Sequence, residues 1–252
     1  MNIANTHPSW KPLLSEALAA LDPNYLEHLS TQKNWLPGPA AIFNAFSIPV
    51  EKTRFVLMGE SPYPRSQSAN GYAFWDNAVG NLWSDTGLSK PVNRATSLRN
   101  MIKMLLVARG NLTPGATTQD AIAKIDKYAL VQTNSEFFTN LTNNGFLLLN
   151  ASLSFRPKKV PVDAKAWLPF MQTLLKSLHQ KNPNIELLLF GKVAEKIGGL
   201  PELSSIKRFT AEHPYNLSFI QNKQVLDYFK PLGLLDKRWK NRHNLYINSK
   251  EQ

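Results

Sequence analysis

The chain has 252 residues, enough for one large core, and its 43% hydrophobic and 19% charged residues exclude wholesale disorder. Its 29 lysines and arginines exceed its 18 aspartates and glutamates, giving a formal net charge of +11. That excess fits either a polyanionic partner, whose condensed counterions are released on binding, or a basic solvated surface. No cysteine is present, which excludes disulfides, cysteine-bound zinc and cysteine-bound iron–sulfur clusters.

In chain order, residues 1–10 lack the apolar core of a signal peptide. Residues 10–20 have a helical pattern that Pro23 helps to end, and residues 40–46 have another. Residues 54–58 are an unbroken apolar run led by Arg54 and ended by Gly59, the mark of a buried strand. Helical patterns follow at 97–107 and 118–130. A second strand covers 146–149, led in by Asn144-Gly145. A helix over 164–180, with Asp163 as its candidate cap, precedes a third strand at 185–190 that Gly191 ends. A weaker strand at 205–210 and a helix at 221–229, closed by Pro231, complete the series.

The longest apolar runs, 146–149 and 185–190, are far too short to cross a bilayer, so a cytoplasmic protein without membrane contact is expected. Strands alternating with helices predict an α/β fold, a three-layer α/β/α sandwich on a central, mainly parallel four-stranded sheet. One domain over 1–236 is expected, followed by a polar, basic tail over 237–252 with Lys237, Arg238, Lys240 and Arg242.

Ligands of such folds bind beyond the carboxyl ends of the strands. Four segments fall there, residues 191–193 among them, and the other three could carry chemistry. The first is Gly59-Glu60-Ser61-Pro62-Tyr63-Pro64, with Ala69-Asn70-Gly71-Tyr72-Ala73-Phe74 after it; its two prolines make either a rigid pocket wall or a structural turn. The second starts at Asn150, whose amide can serve a planar ligand or nearby backbone. The third is His213-Pro214-Tyr215-Asn216-Leu217-Ser218. His213 is either a donor to a developing anion or a satisfied structural histidine, and Leu217 is either core or an exposed wedge.

In this order and spacing the segments resemble family-1 uracil-DNA glycosylases. The likeness starts at Trp10 and takes in Phe43-Asn44-Ala45-Phe46, Ser97-Leu98-Arg99-Asn100, residues 145–152, Leu188-Leu189-Phe190-Gly191 and residues 213–218. The resemblance implies a monomeric repair enzyme that hydrolyses the N-glycosidic bond of uracil in DNA, with neither cofactor nor metal. It implies that Tyr63 blocks the thymine methyl, Phe74 stacks on uracil, Asn150 reads the uracil edge and His213 stabilises the departing anion. Leu217, beside Ser218, would enter the duplex, and Ser97 and the Gly198-Gly199 pair would contact phosphates.

The sequence departs from the family pattern in the first loop. Ser61 stands where the family keeps its catalytic aspartate, Pro64 replaces a histidine, and Tyr215-Asn216 replaces Ser-Pro. Glu60 resembles the glutamate in the Gly-Glu-Ala-Pro-Gly loop of thermophile-type relatives. Glu60 and Ser61 are therefore catalytic candidates with His213, and slow excision is expected, since losing a positioned base costs about 10²–10⁴ in rate. The alternative is a homologue that binds DNA or uracil without cutting; changed base specificity is a third reading.

Overall fold

A computed structural model of the chain describes residues 3–4, 6–32 and 34–237, without the side chains of 193–195. The expected tail from Arg238 onward, including Lys240 and Arg242, lies outside the described residues. In chain order the elements are α1 (Lys11–Ala19), α2 (Pro23–Thr31), β1 (Phe55–Gly59), β2 (Trp83–Ser84), β3 (Gly87–Leu88), α3 (Lys90–Arg94), α4 (Thr96–Arg109) and α5 (Gln119–Ala123). They continue with α6 (Asn134–Asn143), β4 (Phe146–Asn150), α7 (Val160–Lys181), β5 (Glu186–Phe190), α8 (Lys192–Gly198), β6 (Lys207–Ala211) and α9 (Lys223–Phe229). These gather into two compact units, Met1–Ala78 with Thr142–His213, and Val79–Leu141 with Pro214–Gln252.

The first unit contains the main sheet, in the order β4-β1-β5-β6 with every pair parallel. The expected α/β class is thus found, with a sheet that is wholly parallel. Strands buried on both faces need no polar alternation, which is why Phe55-Val56-Leu57-Met58 and Leu147-Leu148-Leu149 could be read directly. One face presents Val56, Met58, Leu147, Leu149, Leu187 and Leu189 to α1 and α7. Helix α7 answers with Trp167, Phe170, Met171, Leu174, Leu175 and Leu178, the three- and four-residue spacing of one helical stripe. Each such side chain contributes about 1.5–3 kcal/mol on burial. On the opposite face Leu57, Leu148, Leu188 and Phe190 are also fully buried. Edge strand β6 is only half-buried.

In the second unit α4 buries Leu98, Met101, Ile102 and Leu105 and ends at left-handed Gly110. It packs against α9 and the short turn Leu217–Ile220, which bury Val225, Phe229, Phe219 and Ile220.

Four local expectations are corrected. Residues 40–46 turn and end in a short 3-10 segment, with Phe46 out of helical conformation, because Ile42, Phe43, Ala45 and Phe46 are all drawn into the core. The helix expected over 118–130 stops at Ala123, where the Asp126 side chain takes the Tyr128 amide at 2.9 Å and offers the backbone a turn instead. Pro23 opens α2 rather than only ending α1: Asp22 caps the Asn24 amide at 2.8 Å, and proline suits the first helical turn. Asp163 does not cap α7, which starts earlier at Val160 with Lys159 as its N-cap.

Asp163 instead anchors a buried network. It accepts from Arg156 Nε at 2.9 Å, from the Arg156 amide at 3.1 Å and from the Tyr25 hydroxyl at 2.8 Å. The one hydroxyl proton of Tyr25 is thereby used, so Ser154 donates across the 3.0 Å contact to Tyr25 and accepts from Trp167 Nε1 at 2.8 Å. Burial, followed by the charge and bonding of Asp163, raises the pKa of Tyr25, which stays protonated. The network fixes the segment that leaves β4.

Candidate active site

The carboxyl ends of β1, β4 and β6 bring together the residues that the sequence scatters over 150 positions. Gly59 ends β1 in register with Asn150, which ends β4. A β-carbon on Gly59 would stand 2.4 Å from Oδ1 of Asn150 and 2.9 Å from the Ala73 β-carbon, so glycine here makes room for the amide. Asn150 is 3% exposed. The ladder continues past the strands: the Ala151 amide donates to Gly59 at 2.8 Å and the Ser152 amide to Glu60 at 3.0 Å. The backbone of Glu60 is thereby held while its carboxylate stays exposed; Ser61 follows, half-buried.

The segment from Gly71 to Asp76 is tied to the edge of β4, where the Ala73 amide donates to Leu148 at 3.0 Å. Phe74 comes next with φ 63°, a left-handed conformation that costs a phenylalanine of order 1–3 kcal/mol and occurs mostly where function requires it. The Tyr63 hydroxyl donates to the Phe74 carbonyl at 3.2 Å. Below them lies a pair that sequence reasoning missed: Asp76, 2% exposed, is bound by Arg65 at 3.0 Å and caps the Ala78 amide at 2.9 Å. Burial first, and then the charge of Asp76, raises the pKa of Tyr63, which remains a neutral phenol. No spacing rule marks Asp76; only the fold brings it to Arg65.

His213 follows β6. Gly191, at the end of β5 with φ 60°, would place a β-carbon 2.8 Å from the His213 β-carbon, so this turn leaves room for the histidine. The imidazole lies 6.0 Å from the Phe74 ring, centre to centre, at 34° to it. Burial lowers the pKa of His213, and the carboxylate of Glu60 partly opposes this. The ring is therefore chiefly neutral near pH 7, with an N–H to donate.

Phe74, Asn150, Glu60, Tyr63 and His213 thus converge within the first unit. The arrangement offers an aromatic face, an amide, a neutral imidazole and a carboxylate, which suits a planar heterocycle that gains negative charge. Gly198 ends α8, its carbonyl taken by the Arg208 guanidinium, and Gly199 is exposed in the turn after it. Ser97 lies in the first turn of α4 in the second unit, and Leu217 and Ser218 are exposed there. Among the described residues no group of three or more histidine, aspartate and glutamate side chains is placed to hold a metal, and no helix is long and apolar enough to cross a membrane.

Comparison with known proteins points to one family. Residues 46–245 match a family model described as the uracil DNA glycosylase superfamily. A uracil-DNA glycosylase of Amoebophilus asiaticus is 29% identical over 219 residues, which cover 83% of this chain and 84% of the relative. Another from Flavobacterium johnsoniae is 26% identical, with 92% and 98% covered. The crystal structure of the UNG protein of Nitratifractor salsuginis superposes with a TM-score of 0.88 at 40% identity, over 93% of this chain and 94% of that one.

Proposed function

The chain belongs to the uracil-DNA glycosylase superfamily, and we propose that the pocket around Asn150 and His213 excises uracil from DNA with Glu60 supplying the carboxylate. The protein is a DNA-repair glycosylase acting on uracil-containing DNA. The roles of individual residues are our reading of the geometry.

A base inside the duplex cannot be reached at its sugar carbon, so the uridine must leave the stack. In our reading uracil lies against the Phe74 ring, its edge on the Asn150 amide and its 5-position toward Tyr63, where a thymine methyl would collide. Breaking the glycosidic bond leaves the electron pair on uracil and a cation on the sugar. The neutral His213 donates to the uracil oxygen that gains charge, and Glu60 faces the cation. Water then adds its oxygen to the sugar carbon and gives a proton to Glu60, directly or past Ser61. No residue here requires a cofactor or metal to act.

The observation that carries the reading is the closeness of Glu60 to His213, whose protonated form its carboxylate favours against the effect of burial. A carboxylate is thus present at the pocket although the preceding-strand loop lacks the usual aspartate. Leu217 and Ser218 on one segment, and Ser97 and Gly199 on others, are our candidates for contacts to the duplex and its phosphates. The reading takes the protein as a cytoplasmic monomer.

The test is single-turnover excision from an oligonucleotide with one uracil, followed as alkali-cleavable abasic product. Wild type, Glu60→Gln, Ser61→Asp and His213→Ala run side by side. Wild type should cut, and Glu60→Gln should lose about 10²–10⁴ in rate. If only Ser61→Asp cuts, the natural protein binds without excising, the alternative that Ser61 itself favours.

A further inference from the structure

The second unit contains a loop whose backbone is held and whose side chains are turned outward. Asn100, fully buried in α4, donates its amide to the carbonyls of Pro214 at 2.7 Å, Tyr215 at 3.2 Å and Asn216 at 3.5 Å. The direction of that amide is itself set, because its oxygen accepts from Arg99 Nε at 3.2 Å, while Arg99 also donates to the Asn93 carbonyl at 3.0 Å. Beyond the loop Phe219 and Ile220 are buried. Between these anchors Tyr215 is 66% and Leu217 is 67% exposed.

One exposed apolar side chain is ordinary, but two on one anchored loop form a surface shaped for contact. A loop held in advance loses little conformational freedom when a partner arrives, so more of the contact energy appears as affinity. A tyrosine combines a flat aromatic face with a hydroxyl that suits it to a surface position. The partner chemistry follows from the proposed excision of uracil, on which this inference rests. Extruding a nucleotide strips its neighbours of one stacking partner, and an aromatic ring fits a bare base face whatever the base. A net charge of +11 draws the polyanion to the protein.

We propose that Tyr215 is a second stacking contact with DNA, its ring lying against the face of a nucleobase next to the extruded nucleotide. Leu217 takes the apolar position beside it, and Asn100, set by Arg99, is the positioning residue that presents both.

The test uses a duplex with a tetrahydrofuran abasic analogue, which cannot be cut, and a 2-aminopurine on its 5′ or its 3′ side. Wild type and Tyr215→Phe should bind alike and quench the 2-aminopurine on one of the two sides. Tyr215→Ala should fail to quench it and bind roughly 5- to 150-fold more weakly. Equal affinity and equal fluorescence for Tyr215→Ala would overturn the proposal and leave the excision reading standing. A wild-type protein that does not bind this duplex at low salt would overturn both.

Discussion

The amide oxygen of Asn150 occupies the space where a side chain on Gly59 would begin. The two residues close adjacent parallel strands in register, so the pocket floor is continuous with the sheet. Gly59→Ala would place a methyl 2.4 Å from that oxygen. The variant should lose about 1–3 kcal/mol of stability through overpacking, read by urea unfolding. Inhibition of excision by free uracil should weaken at least about tenfold, as expected when a paired polar contact is lost. Unchanged uracil inhibition would mean that Asn150 does not touch the base.

His213 provides a pH test. Its pKa in the folded protein lies below the usual value of about 6.5, chiefly through burial. As pH falls from about 6.5 the unfolded chain takes up this proton before the folded one does. The histidine's contribution to stability is therefore complete above about pH 6.5 and is lost as pH drops toward the folded value. Glu60→Gln removes the opposing carboxylate and should lower that value further. An NMR titration of the imidazole in both proteins checks the direction; an upward move in Glu60→Gln would remove Glu60 from the neighbourhood of His213.

Asp163→Ala should be among the most damaging substitutions outside the pocket. The carboxylate is fully buried and accepts from both Arg156 and Tyr25. Removing one partner of a buried ion pair leaves an uncompensated charge and costs about 3–5 kcal/mol. Equilibrium unfolding should show that loss. A change below about 1 kcal/mol would mean that water replaces the carboxylate without difficulty.

Asn100→Ala deprives three successive carbonyls of their donor. We expect about 1–3 kcal/mol less stability. Affinity for the uncut abasic duplex should also fall, while free uracil still inhibits, because the side chain acts on the outward-facing loop. Equal losses in both readouts would point to a general collapse instead.

The strands were legible because a sheet covered on both faces needs apolar runs, and the run from Leu187 to Phe190 is buried throughout. Local hydrogen bonding was less legible. Asp22-Pro23 reads equally well as the stop of one helix or the start of the next, and only the Asn24 amide on Asp22 settles which. The pocket was visible as three segments at strand ends, and Phe74, Asn150 and His213 do meet at one site within the first unit. What stayed hidden were the supports: Asp76 beneath Tyr63, Gly191 beneath His213, and Asn100 under the 214–216 backbone. Each depends on which distant backbone a side chain meets, and that is a property of the folded chain and of no local pattern.

The strand order has a consequence for synthesis. Strand β1 lies inside the sheet between β4 and β5, yet its partners begin only at Phe146 and Glu186. At ribosomal speeds of roughly 5–20 residues per second, Phe55-Val56-Leu57-Met58 is made several seconds before either edge can be covered. During that interval this apolar strand of the nascent chain is exposed to its neighbours on the polysome. The protein should therefore depend on holding chaperones while it is translated, far more than when it refolds from full length.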